Sequence, residues 1–179
     1  MKIALCQINT TLGDFTYNTN LILSNYNRAL KMGAELIVFP EMAVSGYPAQ
    51  DLLLNSNFIL YNQNSLEKII EHIGSYPLVI GTILKQDQVL YNGLVVIQNK
   101  KIIYKYHKQK LPNYDIFDEK RYFEVGESNS LENNFHVTNI LDYNIGFQIC
   151  EDMWSPSLIT QNQIKRGKAD LIINISASP

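Results

Sequence analysis

One thiol, one carboxylate and one amine occupy comparable places in this sequence, each at the end of a strand-like segment. Ile145-Gly-Phe-Gln-Ile149 stops at Cys150, which Glu151 and Asp152 follow. Leu36-Ile-Val-Phe-Pro40 delivers Glu41, and the run that begins Lys101-Ile-Ile-Tyr104 leads to Lys108. A cysteine attacks as the thiolate, so a reactive Cys150 requires a neighbouring group to take its proton. Glu41 and Lys108 are the groups that similar settings provide. Each also has a plainer reading. Buried free cysteine is a common core residue, a carboxylate after proline is often a cap, and Lys105-Tyr-His-Lys-Gln-Lys110 can be a solvated basic edge. Cys6, inside the first apolar run with no acidic neighbour, reads as core. His107 lacks a partnered nucleophile pattern, and His72, His107 and His136 lack ligand spacing, so no metal site is expected.

The elements that must position these groups alternate in period. Residues 2–8 predict a strand. Leu21, Ile22, Tyr26, Ala29 and Leu30 predict a helix over 18–32, with Gly33 at its C-terminal cap. Residues 35–39 form a short strand closed by Pro40. Phe58, Leu66, Ile69, Ile70 and Ile73 predict a second helix over 57–73. Strands follow at 78–84, 89–98 and 101–106, the last two joined by the hairpin-length pair Asn99-Lys100. Residues 114–134 have no clear period and read as a long excursion, a feature often tied to function. After the Cys150 strand come a helix at 156–167 and a strand at 170–175. The alternation indicates an α/β layered fold with a mixed sheet in one domain, 1–179. Gly46 reads as a turn glycine.

The chain has 179 residues, 46% hydrophobic and 18% charged, with net charge −2. That suits one globular domain with a sizeable core and gives no electrostatic reason to expect nucleic acid. Two cysteines cannot build a disulfide framework. The N-terminus turns polar at Gln7 and Asn9, so no signal peptide or membrane span is expected, and a reducing cytoplasm is the default. The strand-like Asp170-Leu-Ile-Ile-Asn-Ile175 lies close to the end of the sequence, which reads as a domain cut short or, alternatively, as a terminal strand.

Together, Phe39-Pro-Glu41, Lys108-Gln-Lys-Leu-Pro112 and Ile149-Cys-Glu-Asp152 resemble the three motifs of the nitrilase superfamily, the carbon–nitrogen hydrolases with a Glu-Lys-Cys triad. The family's lysine stands three residues before a leucine, which selects Lys108 over Lys110. Four stretches narrow the resemblance: residues 41–53, Cys150-Glu-Asp-Met-Trp154, Asn174-Ile-Ser-Ala-Ser-Pro179 and Leu111-Pro-Asn-Tyr-Asp-Ile-Phe-Asp-Glu-Lys-Arg-Tyr-Phe123. These are similar to the glutamine amidotransferase half of glutamine-dependent NAD synthetases. The resemblance implies an α-β-β-α sandwich, truncated here at its C-terminus. It also implies a separate synthetase domain, absent from this chain, that uses ATP and Mg2+; the hydrolase domain itself needs no cofactor.

By the same resemblance, Glu41, Lys108 and Cys150 are catalytic and L-glutamine is the substrate. Cys150 attacks the carboxamide, Glu41 moves the protons, and Lys108 with the Glu151 N–H holds the oxyanion. Tyr114 and Glu151 are expected at the substrate's amino end and Ser178 at its carboxylate. Tyr47 and Trp154 are expected as walls, and Glu119 as a second glutamate near the triad. Pairing through helices near the triad implies a homo-oligomer. Two alternatives stay open: a stand-alone amidase acting on another small amide, and an inactive fragment that serves only as an interaction domain.

Overall fold

A computed structural model describes residues 1–126, 135–154 and 158–177. Two sheets carry the fold. The first has five strands in chain order: β1 (Ile3–Leu5), β2 (Leu36–Val38), β3 (Leu78–Gln86), β4 (Val89–Gln98) and β5 (Lys101–His107). Its first three strands are parallel, and β3, β4 and β5 are antiparallel neighbours. The second sheet comprises β6 (Val137–Ile140), β7 (Tyr143–Ile149) and β8 (Leu171–Ile175), with β7 antiparallel to β6 and parallel to β8.

Side-chain alternation sorts these strands into layers. Ile37, Phe39, Ile80, Val95 and Ile97 point to one face of the large sheet. There they meet Ile22, Tyr26 and Ala29 of α1 (Phe15–Lys31) and Leu66 and Ile69 of α2 (Ser56–His72). Leu36, Val38, Val79, Leu94 and Val96 point to the other face and pack on Ile145, Phe147, Ile149, Ile173 and Ile175 of the small sheet. Strands buried on both faces explain why these runs read as continuously apolar. The short helix α3 (Leu158–Lys165) covers the small sheet through Gln163, whose side chain bonds Gln148 and the Phe147 carbonyl. The order helix, sheet, sheet, helix is the α-β-β-α sandwich.

Several element boundaries differ from those the sequence predicts. Helix α1 starts three residues earlier, because Asp14 caps it by accepting from the Tyr17 N–H. Asn55 caps α2 in the same way. Strand β1 is three residues long rather than seven; Cys6 makes one more backbone bond, to the Val38 carbonyl, before the chain leaves the sheet. Strand β3 runs on to Gln86. Strand β6 has no counterpart in the sequence reading. It pairs with β7 across Leu141 and Asp142, both at positive φ, a turn that lacks the usual glycine or asparagine signal. The excursion from residue 114 carries a 3-10 turn at Glu119–Arg121. Of the helix expected at 156–167, residues 158–165 are helical; positions 156 and 157 lie outside the described residues.

Candidate active site

The site forms where strand ends of both sheets converge. Strand β2 ends and Phe39 makes a last sheet bond to Val79; the chain then turns through Pro40 and Glu41. That turn lies tight against β3, where the Gly81 N–H donates to the Pro40 carbonyl. A Cβ on Gly81 would stand 2.5 Å from Glu41 Cα, so only glycine permits the approach. Lys108 follows β5 directly, its N–H bonded to the Asn92 carbonyl of β4. Cys150 follows β7, where the backbone breaks from strand into a 3-10 turn at φ +45°. A non-glycine residue at positive φ is strained, and such strain clusters at functional positions.

Glu41, Lys108 and Glu119 are buried together. The Lys108 ammonium donates to Glu41 Oε1 and to Glu119 Oε1, both at 2.8 Å. Asn92 Nδ2 donates to Glu41 Oε1 at 2.7 Å and reaches Glu119 Oε2 at 3.4 Å. The Ala177 N–H, just past β8, donates to Glu41 Oε2 at 3.0 Å. Burial works against the Lys108 charge, but two carboxylates in contact outweigh it and raise the lysine's pKa, so the amine stays an ammonium. Glu119 responds the other way. Burial, opposed by Lys108 and reinforced by Glu41, pushes its pKa up to about 7.

Cys150 borders this cluster. Burial raises its thiol pKa and the Glu41 charge adds to the rise, against the pull of Lys108 and of a hydrogen bond with the Ser176 side chain. The thiol therefore rests neutral at pH 7 and must lose its proton as it attacks. Tyr47 feels Glu119, Glu41, Lys108 and Cys150, and burial holds its hydroxyl neutral. A cavity of about 550 Å³ opens at Glu41, lined also by Tyr47, Phe117, Ser176 and Ala177 among others. A buried carboxylate and ammonium beside a neutral thiol, with the carboxylate reaching such a cavity, can perform nucleophilic acyl transfer with general acid–base assistance.

The other residues singled out in the sequence fall as follows. Glu119 lies inside the cluster. Lys110 is exposed, and its backbone N–H donates to Asp152. Tyr114 and Glu151 pair with each other at 2.8 Å, the tyrosine hydroxyl donating. Trp154 closes the turn after Cys150 with 75% of its surface exposed. Ser178 lies outside the described residues. The sequence reading assigned no role to Asn92, Ser176 or Asp152. Asp152 is fully buried and binds the Tyr106 hydroxyl and the backbone N–H groups of Ile149, Gln109 and Lys110. It thereby ties the lysine segment to the cysteine turn. Only its place in Cys150-Glu-Asp152 could have pointed to it.

Known proteins share the sequence pattern and fold of this chain. The carbon–nitrogen hydrolase family model matches residues 2–179. Glutamine-dependent NAD(+) synthetases of Thermotoga maritima and Aquifex aeolicus are 35% and 36% identical over all of this chain. The chain spans about 30% of the length of these curated relatives. The structure of the glutamine-dependent NAD+ synthetase from Acinetobacter baumannii superposes with a TM-score of 0.88 at 32% identity, covering 99% of this chain and 32% of that one. An amidase from Nesterenkonia sp. shares the fold at TM-score 0.83 and 21% identity, covering 99% of this chain and 65% of the amidase. With the family model matching residues 2–179 and the sandwich in place, this chain belongs to the carbon–nitrogen hydrolase family.

Proposed function

We propose that the chain hydrolyses the side-chain amide of L-glutamine and is the glutaminase part of a glutamine-dependent NAD synthetase. The observation that carries this reading is the buried Glu41–Lys108–Glu119 cluster beside Cys150, in a chain whose relatives at 35% and 36% identity are named as such synthetases. Cys150 Sγ attacks the carboxamide carbon while Glu41 takes the thiol proton. The oxyanion faces Lys108 and the Glu151 N–H, fixed donors that need no reorganisation as charge develops. Collapse expels ammonia with the proton returned by Glu41, leaving a γ-glutamyl thioester. Water, deprotonated by Glu41, then adds to the thioester carbon; the thiolate departs, recovers its proton and frees glutamate.

In this reading Tyr114 and Glu151 receive the substrate's amino group, Ser178 its carboxylate, and Tyr47 and Trp154 wall the site. The ammonia serves the amidation of nicotinic acid adenine dinucleotide in a synthetase domain of the same protein, to which ATP and Mg2+ belong. A reducing cytoplasm suits a free thiol nucleophile. The exposed apolar side chains Met153, Trp154, Leu158 and Ile164 support a homo-oligomer.

The test uses the full-length protein. Cys150→Ala is expected to abolish ammonia release from glutamine, by about 10⁴-fold or more, while leaving NAD synthesis from added ammonium intact. Retained glutamine turnover in that variant would overturn the proposal. So would a wild type that ignores glutamine and hydrolyses a different amide.

A further inference from the structure

Asn92 has no step in the reaction just described, yet it bonds Glu41, Glu119 and the Lys108 backbone. It lies in β4 opposite Ile83 and is fully buried. Its carbonyl holds the Lys108 backbone, and its one side-chain nitrogen meets Glu41 Oε1 and Glu119 Oε2. Turning the amide over would aim Oδ1 at two carboxylates, so charge alone fixes its orientation. That orientation has a cost: Oδ1 is buried and has no hydrogen-bond partner among the described residues. Leucine has nearly the same shape and would avoid the unmatched oxygen. What the amide has over leucine at this position is its donor.

The donor matters because a carboxylate oxygen accepts in two lone-pair directions. Lys108 and Asn92 together fill those of Glu41 Oε1. Oε2 takes only the Ala177 N–H among the described residues, which leaves it one acceptor direction. Ser176, the residue before Ala177, acts on the Cys150 thiol and pulls its pKa down. The available direction therefore belongs to Oε2, the oxygen met by the segment that carries Ser176. We infer that Asn92 is a positioning residue for the general base: with Lys108 it occupies Glu41 Oε1 and so assigns the Cys150 proton to Oε2. This rests on the amide-hydrolysis reading above. The ionisable groups that face Glu41 are Lys108 after β5, Glu119 on its 3-10 turn, Tyr47 on the same loop and Cys150 after β7.

The experiment compares Asn92→Ala and Asn92→Asp with wild type in the full-length protein. Its readouts are the pH profiles of kcat and kcat/KM for glutamine, and the pH profile of Cys150 alkylation by iodoacetamide. Loss of a donor to the ionised base should lower kcat about 10- to 100-fold with KM little changed. The acid limb of both profiles should move to higher pH, further in Asn92→Asp because a third carboxylate joins the cluster. A merely structural asparagine would lower the amplitude and leave the acid limb in place, and that result would overturn the inference. Alkylation needs no amide substrate. If wild type fails to hydrolyse glutamine, the functional reading falls, and the alkylation profile alone supports or overturns the role of Asn92. Asn92→Ala, smaller and uncharged, carries the test should Asn92→Asp not fold.

Discussion

Three ionisable side chains share one buried hydrogen-bond network beside a neutral thiol, so each protonation state depends on its neighbours. Glu119 shows this most directly. Its pKa is pushed up to about 7 from the ordinary 4.5 because burial and Glu41 outweigh Lys108. A carboxyl raised in the folded state contributes stability that is complete below its unfolded value and is lost as pH rises through the folded one. The protein should therefore lose stability between about pH 5 and pH 8 through this group. Glu119→Gln, a neutral isostere, should flatten that slope in Tm measured across the range; parallel curves for the two proteins would contradict it. Cys150, Glu41 and Lys108 stood out in the sequence because each ends a strand-like segment, and their motifs singled them out. Asn92 was not, since one asparagine within a strand looks the same whether its amide faces water or two carboxylates. Ser176 was equally silent, because its contact depends on β8 lying beside β7.

At the scale of elements, the site depends on how closely one strand lets another's end approach. Glycine at position 81 of β3 leaves room for the Glu41 backbone that any side chain would fill. The obstructing atoms are backbone, so they cannot swing aside. Gly81→Ala should cost about 1–3 kcal/mol and displace Glu41 from Lys108, lowering kcat more than KM. Denaturant midpoints and steady-state kinetics check this; a variant unchanged in both would show that the approach is slack. Helices α1 and α2, the β4–β5 hairpin and the strands bearing Glu41 and Cys150 were all readable from period and turn chemistry. Boundaries shifted where a side-chain cap decided them, as at Asp14. Strand β6 escaped because its turn places Leu141 and Asp142 at positive φ, a conformation that neither residue advertises.

Across the whole molecule, two sheets packed face to face bring together residues far apart in sequence. The Glu41 contact with Ala177 joins the large sheet's β2 end to the small sheet's β8 end, and Tyr106 with Asp152 joins the β5 strand to the cysteine turn. Burial pattern alone indicated layers, but which strands would form separate sheets was not written in their periods; the motifs supplied that. No helix among the described residues is long and apolar enough to cross a membrane. The central claim is that this sandwich makes residue 150 the nucleophile toward a glutamine amide. Quenching the full-length protein in acid during glutamine turnover and mapping its peptides by mass spectrometry tests that claim most directly. A γ-glutamyl thioester on the peptide carrying Cys150, absent without glutamine, is the predicted result. Sustained turnover with that peptide unmodified, or with the acyl group on Cys6 instead, would contradict it.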